Sequence, residues 1–376
     1  MFLAVRELWF ARTRFLLMGA VVALISILMV MLSGLSSGLV NDGVSGLQRT
    51  PVQAFAFAEG TKTDSAFSRS VVTEEQAAAW RNQPGVDRAE LFGNTIVNAK
   101  TRNGTPVDLT LFGIGKGSFL EPEPAEGTAL AGDHDIIVSD TARDAGLNLG
   151  DTVVLDRLGT ELTVVGFTAD QRTFGHVDVA YVPLRTWQEI NAGTKVGEIP
   201  RAGAYNEASV VAIQGTDGNL PDLAAGDAAA GTASKPLTES FDSSPGYAAE
   251  MMTMTMIKAF LYAISALVVG AFFTIWTVQR SRELAVMRAM GASTGFLMRD
   301  GLMQAVIVLV LSIGFGVLVG LGLGVVLLDS GMPFALEAAP IISGAVLLAV
   351  LGLVGAAAAI VRMASINPLV ALGENR

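Results

Sequence analysis

Four stretches of this chain carry no charged side chain over 20 residues or more: Phe15–Asn41, Ala259–Val278, Gly301–Leu328 and Ala338–Val361. A helix rises about 1.5 Å per residue, so about 20 apolar residues cross the hydrocarbon core of a bilayer. Each stretch is long enough to span. In lipid a backbone can satisfy its own polar groups only as a helix or a closed barrel. The expected fold is therefore an α-helical membrane protein with four transmembrane helices. Composition agrees, with 51% hydrophobic and 16% charged residues and a mean hydropathy of +0.50. These figures exclude an ordinary soluble enzyme, a disordered chain and a disulfide-stapled scaffold, the last also because cysteine is absent.

The expected layout is an amphipathic N-terminal segment at 1–14, TM1 at 15–40, an inserted domain at 41–249 and TM2 at 250–278. A connecting segment follows at 279–299, then TM3 at 300–328, a short loop at 329–338, TM4 at 339–361 and a tail at 362–376. Arg6, Arg12 and Arg14 precede the first stretch, so a cleaved leader is the alternative to TM1. That stretch is longer than the ~7–15 residues of a leader's apolar region, which favours an uncleaved anchor. The small residues Ser33–Gly38 at its end then serve helix packing. They also contain a G-x-S-x-G match, but a nucleophile elbow needs a strand before its turn. Basic residues set the orientation. Arg6, Arg12 and Arg14, then Arg280, Arg282, Arg288 and Arg299, then Arg362 flank three ends, whereas the TM3–TM4 connection holds only Asp329 and Glu337. The positive-inside rule places both termini and the TM2–TM3 connection in the cytoplasm and the inserted domain outside.

Residues 41–250 hold 15 Lys/Arg against 29 Asp/Glu, which is more than the whole chain's net charge of −10. A solvated domain needs no acidic-site function to explain this, and the sign argues against nucleic acid as a partner. Alternation at Val107, Leu109 and Leu111, at Glu161–Phe167 and at Val177–Val182 predicts strands. Thr73-Glu74-Glu75-Gln76 fits a capping box opening a helix through Trp80. Asp140–Leu147 and Leu184–Ile190 are expected short helices, and the Gly/Ala-rich Gly127–Gly132 and Gly215–Ala233 are expected loops. The inserted domain is therefore expected to be α+β.

Leu111–Ser118 suggests a phosphate loop and fails as one. Lys116 is followed by Gly117 where Ser or Thr is required, and Thr110 stands where the first glycine belongs. A glycine turn after a strand is the expected structure. His134 and His176, the only two histidines, read as exposed loop residues, and no metal site is expected from them. TM3 carries Gly316, Gly320 and Gly324 four residues apart, a small-residue stripe that lets helices approach closely within one chain or between subunits.

The connection Arg280-Ser-Arg282-Glu283-Leu-Ala-Val-Met-Arg288-Ala-Met-Gly291-Ala292 reads as an amphipathic helix ended by Gly291, with a short second helix from about Thr294. It resembles the coupling segment of MacB/FtsX-type ABC transporter permeases. Ile136–Asp140, Ala145–Val153, Leu162–Phe167 and Val179–Leu184 resemble that family's outer-domain pattern, and Ile366–Leu372 its C-terminal ending, with Gly373 in place of the usual basic residue. The resemblance implies a permease with no ATPase of its own, acting as two copies with two copies of a separate ABC ATPase that binds ATP and Mg. It implies mechanotransmission, with Arg280, Arg282, Glu283, Arg288, Gly291 and Ala292 as the coupling residues.

Four of the 14 methionines fall in six residues, Met251, Met252, Met254 and Met256, just after Tyr247 and Glu250. Methionine fills irregular helix interfaces and also ligates haem iron, as tyrosine can. A carboxylate at the edge of the hydrocarbon is costly unless paired or coordinating. The cluster resembles the haem-exporter branch of the family, the HrtB- and DevC-like permeases. That implies haem, taken laterally from membrane lipid, as the cargo, with Tyr247, Glu250, Met251, Met252, Met254 and Met256 on TM2 and Met29 and Met31 on TM1 as its site. Iron ligation would fall to Glu250, Tyr247 or a methionine. The alternatives are a MacB-like exporter of another amphipathic compound or peptide, and an FtsX-like signalling permease that regulates a cell-wall hydrolase. A membrane-anchored enzyme is the weakest reading, because no nucleophile–base pair or metal set is present in the sequence.

Overall fold

The computed structural model describes residues 12–279, 286, 287, 290–328 and 330–364. The chain divides into two compact units, Val40–Glu250 and a helical unit made of the residues on either side of it.

The inserted unit begins with the last residues of helix α1 (Arg12–Gln48) and continues through β1 (Ala54–Ala58), α2 (Ala66–Arg69), β2 (Val72–Thr73) and α3 (Glu74–Arg81). Strands β3 (Val86–Thr101), β4 (Pro106–Ile114), β5 (Glu126–Gly127), β6 (Asp135–Val138), β7 (Thr152–Leu155), β8 (Glu161–Phe167), β9 (Thr173–Phe174) and β10 (Val177–Pro183) follow. It closes with α4 (Leu184–Asn191), β11 (Glu207–Ala208), β12 (Val210–Gly215), α5 (Leu223–Ala230), β13 (Thr232–Pro236) and α6 (Leu237–Ser240). The main sheet runs β13-β1-β12-β3-β4-β10-β6-β8-β5, with β7 bridging β3 and β8 and β9 extending β10. Among the described residues, β4–β10 and β6–β8 pair in parallel and the other strand pairs are antiparallel.

This sheet is buried on both faces, and the two-residue period of its strands divides the core in two. Ala54, Ala56, Leu91, Leu109, Leu111, Ala180, Val211 and Ile213 point to one face, where Trp80 of α3 and Trp187 of α4 cover them. Phe55, Phe57, Phe92, Phe112, Tyr181 and Val210 point to the other, against Val44 and Leu47 of α1. There the rings of Phe55, Phe67, Phe92, Phe112 and Phe174 meet edge-on or tilted at 4.8–6.0 Å, an arrangement that aromatic quadrupoles favour. Gly93 and Gly113 admit Trp187, because a Cβ at either would lie 2.2 or 2.4 Å from its ring.

The expected strands at 107–111, 161–167 and 177–182 are present within β4, β8 and β10. Thr73 caps α3, and its backbone N–H donates to Gln76 Oε1 at 3.0 Å. Two expectations need correction. Asp140–Leu147 forms only a 3-10 turn over Asp140–Arg143, because Gly146 takes φ +89° two residues beyond Asp144 and turns the chain. Gly215–Ala233 is not a loop throughout. It contains α5, whose Asp222 side chain accepts the Ala225 N–H at 3.1 Å and whose end is Gly231 at φ +63°. Alanine supplies the helix propensity, and Gly226 is needed where the Trp80 ring packs.

The helical unit holds α1 up to Leu39, α7 (Tyr247–Gln279) from Met251, α8 (Thr294–Leu328) and α9 (Ala338–Ala364). All four helices are long and apolar enough to cross a membrane. Helix α8 starts at Thr294 and runs unbroken to Leu328, so the short second helix expected near Thr294 is the first turn of the third span. Ser293 caps it, its Oγ accepting the Phe296 N–H at 3.3 Å.

Small residues set the helix crossings. A Cβ on Gly316 would lie 2.5 Å from the Ala23 carbonyl, and one on Gly320 would lie 2.8 Å from Val30, so these glycines face α1 of the same chain. Gly324 faces Leu336 and Phe334. Gly34 and Gly38 receive Phe334 and Pro333, and Ala335 N–H donates to the Gly34 carbonyl at 3.0 Å. Gly355 meets the backbone of Ala266 and Gly270. Backbone-to-backbone approach of this kind gives van der Waals packing where apolar solvent removes any hydrophobic drive.

Candidate functional site

Helix α7 carries most of the candidate cargo residues. Met252 and Met256 are 67% and 50% exposed, and Phe260, Ile264 and Leu267 continue the same exposed stripe at spacings of four, four and three. Met251 and Met254 are half-buried on another face. The methionines of α1 are placed differently. Met29 is buried with its sulfur against Gly344, accepting the Ser33 hydroxyl at 3.8 Å, and Met31 packs around the same small cluster. Neither belongs to the exposed sulfur stripe, because α1 turns this face toward α9.

Tyr247 and Glu250 belong to the inserted unit. The Tyr247 ring packs edge-on against Phe241 at 6.2 Å. Glu250 Oε1 lies 3.3 Å from His176 Nε2, and His176 Nδ1 lies 2.7 Å from Asp42 Oδ2. Glu250 Oε2 is shielded from solvent and has no hydrogen-bond partner among the described residues.

Local structure explains how His176 reaches these carboxylates. Gly175 and His176 form the two-residue turn between β9 and β10, with φ +60° and +64°, the left-handed pair that hairpin turns of this length use. The turn is fastened to α1, since Gly175 N–H donates to the Gly43 carbonyl at 2.9 Å. Thr173 reinforces it, its N–H donating to Ser45 Oγ at 3.0 Å and its hydroxyl to the Asn41 carbonyl at 3.0 Å. Gln171 receives the Asn41 amide at 2.8 Å and donates to Asp42 Oδ1 at 3.3 Å, which orients that carboxylate.

Burial lowers the proton affinity of His176, but the Asp42 hydrogen bond and the charges of Glu250 and Asp42 outweigh it. Its pKa stands above the ordinary histidine value. Burial also raises the Asp178 carboxyl, against the hydrogen bonds from Thr141 and Ser139.

Sequence reading placed His176 in an exposed loop and did not single out Asp42. The Gly-His pair between two alternating segments was a legible hairpin signal. Its meeting with residues 134 positions before it and 74 after it was not legible. His134 is exposed, in the turn just before β6. Lys116, in the glycine turn after β4, pairs with Asp133 at 2.8 Å.

Of the coupling residues, Arg280, Arg282, Glu283 and Arg288 lie outside the described residues. Val286 and Met287 are helical, Met290 N–H donates to the Val286 carbonyl at 3.0 Å, and Ala292 N–H donates to the Met287 carbonyl at 2.9 Å. Gly291 lies in a turn with φ +97°, a backbone conformation that favours glycine.

Residues 16–231 match the MacB-like periplasmic core domain, and residues 251–368 match the FtsX-like permease C-terminal family. Over 99% of both chains the sequence is 21% identical to the "Putative hemin transport system permease protein HrtB" of Staphylococcus haemolyticus. It is 23% identical to an uncharacterized ABC transporter permease of Mycobacterium tuberculosis, again over 99% of each. The solved periplasmic region of MacB from Actinobacillus actinomycetemcomitans is 16% identical, with a TM-score of 0.36, and covers 50% of this chain and 90% of that one. With the core-domain match alone spanning more than half of its residues and the permease match most of the rest, the chain belongs to the MacB/FtsX-type ABC transporter permeases, membrane proteins with an extracytoplasmic domain that work with a separate ATPase.

Proposed function

We propose that this permease exports haem drawn laterally from the membrane, driven by mechanotransmission from two ATPase subunits acting on a pair of permeases whose termini are cytoplasmic. The observation that carries the reading is the exposed stripe of Met252, Met256, Phe260 and Ile264 on α7. A flat, apolar macrocycle gains contact area from such a stripe, and thioether sulfur is a soft neighbour for iron. Glu250, earlier on the same helix, offers a carboxylate oxygen with no partner among the described residues, suited to the iron or to a donor on the cargo. The name of the HrtB relative supports the same cargo.

The test is a haem titration of the purified permease. Met252→Ala combined with Met256→Ala is expected to weaken binding by about tenfold, equivalent to roughly 1.4 kcal/mol, and Glu250→Ala to change the iron absorption bands. Unchanged spectra and affinity in both variants would remove the assignment.

A second reading, a signalling permease with an outer protein partner, draws on Val196 and Ile199, exposed by 72% and 94% in the loop after α4. A deletion strain sensitive to haem favours export, and one that grows as unseparated chains of cells favours signalling.

A further inference from the structure

We propose that a groove between α1 and α8 binds one anionic phospholipid, with an acyl chain along the groove and the phosphate at Arg12. The groove is separate from the methionine stripe on α7, and the inference does not depend on the identity of the cargo.

The groove has a volume of about 590 Å³ and lies wholly within the helical unit. Arg12, Leu16, Ala20 and Ala23 recur at spacings of four, four and three, so they share one face of α1. Leu311 and Phe315 face them from α8. All of these except Ala23 are exposed, and Arg12 is the sole charged residue among those lining the groove. Arg14 is turned elsewhere, its guanidinium donating to Gln279 of α7.

The position of the charge matches a membrane lipid. Arg12 to Ala23 spans about 16 Å along the helix axis, close to half of the ~30 Å hydrocarbon core. The groove therefore has the depth of one leaflet, apolar along its length with a guanidinium at one end. In the orientation proposed above this is the cytoplasmic leaflet. A phosphodiester at Arg12 accepts two parallel N–H bonds from a planar donor made for that geometry. Among the described residues no carboxylate lines the groove to compete for the cation.

The floor of the groove selects a linear occupant. A Cβ on Gly19 would lie 2.8 Å from Ser312 Oγ, and one on Gly316 would lie 2.5 Å from the Ala23 carbonyl. The two helices thus touch beneath the groove, which leaves a narrow slot between their side chains. An acyl chain fits such a slot along its length, whereas a flat macrocycle needs a wider opening. A lipid seated there contacts both helices and clamps α1 against α8.

The test uses the full-length permease, delipidated in detergent and titrated with phosphatidylglycerol or with phosphatidylcholine of the same acyl chains. Native mass spectrometry counts the lipid bound. We expect one phosphatidylglycerol retained per chain, with an affinity about fivefold above that of phosphatidylcholine. Arg12→Gln should bring the two lipids within about twofold of each other, and Arg14→Gln should leave the preference intact. Ala20→Phe fills the groove and should abolish retention of either lipid. Arg12→Gln alters only an exposed side chain, so it decides the question even if Ala20→Phe folds poorly. Equal binding of the two lipids by the wild type overturns the inference, as does an Arg14→Gln protein that loses the preference to the same extent as Arg12→Gln. Two further outcomes also overturn it. A change from dimer to monomer in Ala20→Phe with lipid retention unaltered assigns the groove to a second copy of the chain. Haem that displaces the retained phosphatidylglycerol one for one assigns it to the cargo.

Discussion

His176 Nδ1 lies 2.7 Å from Asp42 Oδ2, joining a hairpin turn to the end of the 37-residue helix α1. The folded pKa of His176 is raised, so the pair stabilises the fold fully below the unfolded histidine value of about 6.5. That stability is lost as pH rises through the higher folded value. Thermal unfolding of the wild type should therefore show a higher Tm at pH 6 than at pH 8. Asp42→Asn should remove most of that difference, worth about 0.5–1 kcal/mol because part of the ring faces solvent. Equal pH slopes in the two proteins would contradict the assignment.

The Trp187 ring lies over Gly93 and Gly113 with no room for a methyl group. Gly113→Ala should destabilise the inserted unit by about 1–3 kcal/mol, the scale of overpacking in a filled core. Combining it with Trp187→Leu should cost less than the sum of the two single changes, since they share one contact. Denaturation of the four proteins, read by tryptophan fluorescence and circular dichroism, gives the coupling directly.

Glycines on α8 are predicted to differ sharply by face. Gly316 touches the Ala23 carbonyl and Ser26, whereas nothing lies within 4 Å of a Cβ built on Gly314. Gly316→Leu should lower the Tm of the detergent-solubilised protein and expose α1 to protease, and Gly314→Leu should do neither. Comparable losses in both would mean that the stripe does not pack on α1 in the membrane.

Gly291 stands in the turn before α8 at φ +97°. A β-branched residue is strained there by about 1–3 kcal/mol. Gly291→Val should therefore misplace the coupling segment. If the proposed haem export holds, export by the permease–ATPase complex is expected to fall at least threefold, with haem binding by the isolated permease unchanged. Full export in this variant would argue that this turn plays no part in coupling.

Much of the architecture was legible because it rests on local patterns. A charge-free run of 20 or more residues has one stable form in lipid. Alternation at Val107–Leu111 and Glu161–Phe167 exposes a two-residue period, and Thr73 with Gln76 marks a helix start through bonds only three residues long. Helix α5 was missed although Asp222 and Gly231 frame it, since its Ala/Gly composition has no apolar period to detect. The GxxxG spacing in α8 was visible, but whether it faced its own chain or another depended on where α1 ran.

The sequence by itself determined the four spans, the α+β character of the inserted domain and the family, because each is written in short-range periodicity or in contiguous motifs. Only the tertiary structure decided that Asp42, His176 and Glu250 meet, that Met29 is buried while Met252 and Met256 are exposed, and that Trp187 covers two glycines. Those relationships join residues far apart along the chain. Nothing local distinguishes a carboxylate that will find a histidine from one that will face water, so the pairing emerges only when the sheet brings the hairpin against the helix ends.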